Sequence, residues 1–348
     1  MFYQAGLPLQ PAEKDCRSYC KQMVEYGREN NFSIARPTWQ LLLNLSGRST
    51  DPLILTGEAM DEEEFVRNET SRNNKGALQV YWANKGQLAY HFGDYDEAER
   101  VFTKFEKTKA NLATHILVSI HGYFYALTVL ALARATKKRK YKGAARKAIK
   151  QVRLWVDNGS INHTHKLILL NAEYEALSCR DPQKVRISYD SAIVAASRAG
   201  FANDAAIASE RAGICLLELG DNYWAAEYLS RSFRLYAEWG AVGVSKHLLS
   251  KYSTVLEVVE ADGSEILSAT TLDSSAKSST LDASTPYDRR RSTYHHGVEQ
   301  YDPSSAEKHG SLGSEAVFSP STPLRKNGSS DSDLDESSSP STNEVAQG

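Results

Sequence analysis

Apolar residues recur at steps of three and four through the first 262 positions. No run alternates apolar and polar residues for the length of a strand. Leu117, Ile120, Phe124, Leu127 and Ala131 follow this path, as do Leu167, Leu170, Tyr174 and Leu177. Ala212, Cys215, Leu216 and Leu219 repeat it, then Ala226, Leu229, Phe233 and Tyr236. Only a helix of 3.6 residues per turn gathers such positions on one face. Gly93, Gly200, Gly220 and Gly240 each fall just past a periodic run, where a helix stop needs left-handed backbone. Asp181-Pro182 reads as an N-cap followed by proline at the first helical position. Asp61 with Glu62, Glu63 and Glu64 suits the positive end of a helix dipole. The pattern predicts an all-α body of roughly a dozen helices joined by short turns.

The chain changes character near Ala261. Residues 263–348 are mostly Ser, Thr, Asp, Glu, Pro and Gly, with 13 acidic against 7 basic side chains. Their net charge of -6 within a total of -2 leaves about +4 for residues 1–262. Isolated apolar residues such as Ile266, Leu281 and Phe318 show no period. A segment of this composition buries too little surface to offset its ordering entropy, so 263–348 is read as a disordered tail. Within it Thr285, Ser319, Thr322 and Ser339 precede proline, and Ser292 follows three arginines. These five are the candidate phosphorylation sites, each adding nearly two negative charges when modified.

Long helical chains are checked for repeats of 30 to 50 residues. One segment stands out. Trp82, Gly86, Ala98 and Phe102 fall at bulky, small, small and bulky positions of a tetratricopeptide hairpin, with Gly93 at the turn. Gly86 and Ala98 let two helices approach, while Trp82 and Phe102 fill the space beside them, so both are expected in the core. A second copy has Gly213, Gly220, Ala225 and Leu229 in the same roles. A third is fainter, in Val185, Tyr189 and Ala192. The expected fold is therefore a tetratricopeptide-like α-α superhelix over 1–262, with hairpins stacked so that a concave surface remains.

Further runs carry a resemblance to a family. They are Trp39 to Leu45, then Leu55-Thr56-Gly57-Glu58 with Asp61 to Glu64, and Ala206 to Ala212 leading into Leu217-Glu218-Leu219-Gly220. The last is Tyr236 to Ala241. Together they resemble the helical-repeat region of multidomain signalling proteins. In those proteins a Ser/Thr-kinase-like domain precedes an AAA-type P-loop ATPase, then this region, and often GAF and histidine-kinase modules. The resemblance covers most of residues 2–258. It implies a regulatory, protein-binding role beside an ATPase or kinase module, in cis or in trans. The alternative it implies is a fragment of a larger ATP-dependent kinase or sensor enzyme whose catalytic domains lie elsewhere. Phe2-Tyr3-Gln4-Ala5-Gly6 looks like the end of a helix with its glycine stop, so Met1 is read either as internal to a longer frame or as the start of a product without catalytic partners.

The sequence holds no phosphate-binding G-x-x-x-x-G-K-[ST] or G-x-G-x-x-G, and no kinase H-R-D or D-F-G. No catalytic residue, cofactor site or metal site is assigned, and the chain is read as no enzyme. His163 and His165 are adjacent in pattern but lack a third ligand, so a capping or structural role is expected. Cys16 and Cys20 lie one turn apart, as buried thiols on one helix face do. His295-His296 lacks partners. The strongest charge feature is Lys137-Lys138-Arg139-Lys140-Tyr141-Lys142, continued by Arg146, Lys147, Lys150 and Arg153. It is read first as a solvated loop and exposed helix face, with Ala144, Ala148, Val152 and Trp155 inward. The second reading is an import signal or anionic-surface contact through Lys137, Lys138, Arg139 and Lys140. Nucleic acid is disfavoured because only Tyr141 interleaves. No stretch is expected to reach the roughly 18 apolar residues of a membrane span, and the first 15 residues show no signal peptide. The expected partner is a protein, without a membrane, in the cytoplasm, with the nucleus as alternative.

Overall fold

The computed structural model describes residues 2–108 and 116–256. The chain divides into two units, Met1–Ser275 and Ala276–Gly348, and all described residues belong to the first. The candidate phosphorylation sites Thr285, Ser292, Ser319, Thr322 and Ser339, and His295-His296, lie outside the described residues.

Among the described residues there is no strand, and twelve α-helices have both ends described. They are α1 (Leu9–Glu25), α2 (Glu29–Leu45), α3 (Glu62–Ser71), α4 (Lys75–His91), α5 (Tyr95–Thr108) and α6 (Ile116–Thr136). Then follow α7 (Arg139–Asp157), α8 (Thr164–Ala176), α9 (Pro182–Arg198), α10 (Ala202–Glu218), α11 (Asn222–Trp239) and α12 (Val242–Lys251). Short 3-10 turns cover Phe2–Ala5 and Ile161–His163.

Consecutive helices pack on one another except α2 and α3, and the even-numbered ones also touch one another, α2 on α4, α4 on α6, α6 on α8 and α8 on α10. The sequence dictates this division into two layers. Thirteen of the 17 residues of α4 are buried, and 14 of the 21 of α6, so these helices are covered nearly all round. In α1 only three of 17 are buried and in α7 only four of 19, each along one stripe. Helices without a separate polar face go inside, α4 with its buried Gln79, Asn84 and Gln87 among them, and amphipathic ones go outside.

The apolar inner layer explains one departure from expectation. By length and composition α6 would cross a membrane, with a mean hydropathy of 1.8 over its best window. That overturns the expectation that no stretch reaches such a composition. Here 72% of that window is buried inside the protein, and Arg134 at its end is paired within the interior. Its apolar surface is spent on α4, α5, α7 and α8.

The turns use one device twice. Gly93 (φ +76°) and Gly220 (φ +82°) end α4 and α10 in left-handed backbone. Asp94 and Asp221, the next residues, cap the following helices, accepting from the Glu97 and Trp224 amides at 3.0 and 3.2 Å. The hairpins behind those turns share one contact. A Cβ on Gly86 would lie 2.4 Å from the Phe102 ring, and one on Gly213 2.7 Å from Leu229 Cγ. In both, turn glycine, alanine and large residue follow at 7, 12 and 16 positions, as Gly93, Ala98, Phe102 and Gly220, Ala225, Leu229. Ala98, Phe102, Ala225 and Leu229 are fully buried. Trp82 differs from its expected place in the core. It is only half-buried, with the Lys104 ammonium 4.6 Å over its ring, and Tyr81 takes the interior position at 3% exposure.

The two ends of the array meet. Helix α12 packs on α2, and a Cβ on Gly243 would lie 2.8 Å from the Asn44 carbonyl and the Gly47 amide. The Trp239 indole donates to the Leu7 carbonyl at 3.1 Å. Gly6 presses on the turn before α10, where a Cβ would meet the Gly200 carbonyl at 2.6 Å. Between the ends, His91 is buried among Tyr90, Phe124, Tyr236 and Trp239, with ring centroids 5.5–6.1 Å away. The inner face is thus filled by side chains at these positions, where an open stack leaves a concave surface.

Glycine to alanine at two helical positions should have opposite signs. Gly143 sits in exposed α7 with nothing within 4 Å of a Cβ, so Gly143→Ala should stabilise by about 0.5–1 kcal/mol. Gly86→Ala gains the same propensity but drives a methyl into Phe102, at a cost of about 1–3 kcal/mol. Urea unfolding of the two variants checks the pair, and equal effects would contradict the packing.

Candidate functional site

Charged residues set in apolar helices point inward and meet. The fully buried Glu173 of α8 accepts from Arg211 Nε at 3.0 Å and Nη2 at 3.2 Å, a two-pronged pair with α10. It also accepts from Arg134 Nη2 of α6 at 3.3 Å and from the Tyr189 hydroxyl of α9 at 2.6 Å. Arg211 Nη1 donates onward to the Tyr95 hydroxyl of α5 at 3.1 Å, and Arg134 Nη1 to Cys215 Sγ at 3.0 Å. Burial alone would raise the Glu173 carboxyl, but Arg211 and Arg134 hold it at about 2.

A second cluster lies one end of the inner layer away, where α8 and α10 begin. Asp204, in the first turn of α10, is paired with Lys166 and lies 2.7 Å from His165 Nε2. Burial opposes its ionisation, yet Lys166 and His165 keep the carboxyl at about 2. The Lys166 ammonium lies 4.5 Å over the Tyr123 ring and 5.3 Å over Phe201. A cation between two ring faces and a carboxylate is held in position at little cost in solvation.

Above Lys166 a cleft of ≈ 570 Å³ opens. Ile116, Ile120 and Tyr123 of α6 line it together with Trp155 and Phe201. Gln4, Ser119, Asn158 and Asn162 supply amide and hydroxyl groups at its lining. Trp155 is seated because α6 has a glycine opposite it. A Cβ on Gly122 would lie 2.5 Å from the indole. His163 is held by Ser160 Oγ, 2.7 Å from Nδ1, and by the Trp155 ring at 5.3 Å. Burial first, then Lys166 and His165, push His163 down to about 4, so it is neutral near pH 7. The arrangement can grip an apolar group between ring and aliphatic walls, pair amides with an extended backbone, and offer remaining Lys166 N–H groups to a carbonyl or carboxylate.

His163 and His165 do not converge. One faces the cleft and the other turns in to Asp204, and among the described residues no three His, Cys, Asp or Glu side chains form a metal-binding group. Cys16 is half-buried and Cys20 buried, both free thiols. The cysteine pair pushes Cys16 up and Cys20 down by mutual hydrogen bonding. Lys137 to Lys140 lie exposed in the turn between α6 and α7 and at the start of α7. The buried stripe of α7 is Tyr141, Ala145, Ile149 and Val152. The expected register named Ala144, Ala148 and Trp155, which flank that stripe half-buried. Sequence reading missed Lys166, Glu173, Asp204 and Arg211. Their signal was a lone charge among Ala and Leu at an inward position, such as Glu173 three and four residues after Leu170 and Leu169.

In comparisons with known proteins, no family model matches this chain. No curated protein matches it either.

Removing Glu173 strands two buried guanidiniums. Glu173→Gln should lower unfolding free energy by about 3–5 kcal/mol, read by urea denaturation, and a loss below about 1 kcal/mol would show that the network does not hold the helices.

A pH effect follows from His91, whose ring nitrogens have no hydrogen-bond partner and which burial pushes from 6.5 to about 4. Between these values the unfolded chain binds the proton and the folded one does not. Stability is therefore full above pH 6.5 and falls as pH drops towards 4, by up to about 3 kcal/mol from this residue. His91→Leu should make that window shallower in melting curves against pH, with the part owed to His163 left in place, whereas the loss at lower pH, owed to Glu173 and Asp204, should remain.

Proposed function

We propose that the chain is a non-catalytic protein-interaction and regulatory module built from degenerate tetratricopeptide-like hairpins. The observation that carries this is the recurrence of one contact, glycine against a large residue 16 positions on, in hairpins α4–α5 and α10–α11. Repeated hairpins of this kind present surfaces to peptides and helices rather than perform chemistry. The Lys166 cleft is the docking place, because its apolar walls and amide-bearing lining suit an extended segment with one large apolar side chain. The resemblance to repeat regions of kinase and ATPase signalling proteins supports an ATPase or kinase module as partner, in cis or in trans, in the cytoplasm.

The test uses two exposed cleft residues, Ile116 at 50% exposure and Asn162. Ile116→Arg with Asn162→Arg should leave the melting curve unchanged and abolish capture of the proteins that the unaltered full chain binds from a lysate. Retention of the same set would remove the cleft from the docking surface. Hydrolysis of ATP by the purified chain would overturn the non-catalytic reading.

A further inference from the structure

The outer face of α7 carries a cation array that the packing does not use. Arg139, Lys142, Arg146, Lys150 and Arg153 follow one another at steps of 3, 4, 4 and 3, which places them in a single row about 21 Å long. Lys140 and Lys147 flank the row, and all seven are exposed. The helix contains no carboxylate before Asp157 at its last position. Among the described residues none of the seven is in an ion pair with Asp or Glu, whereas the cations of the interior are paired. Their contacts are to neutral groups: Lys140 over Tyr141, Lys142 over Tyr174, Arg146 on the Tyr174 hydroxyl and Arg153 on the Asn171 amide. At the C-terminal end of the same helix two large aliphatic side chains stand in solvent, Leu154 at 51% and Ile161 just beyond at 79% exposure.

We propose that this face binds the surface of an anionic lipid bilayer. A row of unpaired cations on an exposed helix face matches a fluid sheet of negative headgroups, and clusters of this size draw proteins to such surfaces. Leu154 and Ile161 add apolar contact with the outer acyl region. Nucleic acid fits less well, because the row bears no free aromatic ring for stacking and exposed aliphatics gain nothing on a phosphate backbone. The apolar stripe of α7 stays in the protein core, so the contact is peripheral and salt-sensitive.

The experiment is co-sedimentation of the full chain with vesicles of phosphatidylcholine alone, or with roughly a third phosphatidylserine. Binding is expected on the anionic vesicles only and weakens with salt. Changing Arg146, Lys150 and Arg153 to Gln leaves the run 137–142 intact and should cut partitioning roughly a hundredfold. Leu154→Asn should weaken binding several-fold without changing its salt dependence. Equal binding to neutral vesicles, wild-type partitioning of the triple variant, or binding to duplex DNA with none to anionic vesicles would each overturn the proposal.

Discussion

Glu173 is a single carboxylate fully removed from water, and two guanidiniums from different helices close on it. Desolvating three ions costs more than any one attraction returns, so the arrangement persists only if every partner is in register. The geometry leaves little freedom. Arg211 approaches with two N–H groups in a fixed fork, Arg134 reaches from the far end of α6, and Tyr189 fixes the remaining lone pair from α9. Sliding α6, α8 or α10 by one turn would strand a charge. The register of the inner layer therefore depends on this cluster. Apolar packing, which tolerates shifts, supplies most of the energy around it.

With the inner helices in register, closure of the array rests on small residues. Gly6, Gly47 and Gly243 lie where backbone meets backbone across the join, at distances a side chain cannot enter. His91 marks the same join from inside. Its neutral ring is one aromatic surface among four others, and it is stable there only while it carries no proton. The Lys166 cleft sits where α8 and α10 begin, and both elements are held by the Glu173 cluster deeper along the same helices. The cleft is therefore a rigid feature, shaped by the interior rather than by its own rim.

Helix existence was legible because burial writes a 3.6-residue period directly into the chain, and the glycine stops at 93, 200, 220 and 240 all adopt the left-handed backbone their positions imply. The Gly86 and Gly213 contacts were legible because a missing side chain forces its neighbour to be large. Three things were not. Membrane-like composition in α6 escaped notice because its few polar residues, such as His121 and Arg134, interrupt the run while pairing internally. The centre of the α7 stripe escaped because alanine is equally at home at its edge and in its middle: Ala144, Ala148, Val152 and Trp155 do face the core as expected, while Tyr141, Ala145 and Ile149 also lie buried there. Glu173, Asp204 and Arg211 look like surface charges in one dimension. Only the packing of α8 on α10 brings Arg211 to Glu173 and Asp204 to His165 and Lys166.

Charge usage divides the molecule into two regimes, and the division bears on function. Inside, Arg134, Lys166 and Arg211 each have a carboxylate, because an unpaired buried ion would cost more than the fold's margin of stability. Outside, five cations of α7 form a row that Lys140 and Lys147 flank, and none of the seven has a carboxylate partner. Solvent makes an unpaired surface cation cheap, so stability does not explain their concentration, and like charges at i, i+4 cost the isolated helix a few tenths of a kcal/mol per pair. A helix held in place by Tyr141, Ala145, Ile149 and Val152 tolerates that cost. The stable body thereby carries a charge pattern that its own folding does not require.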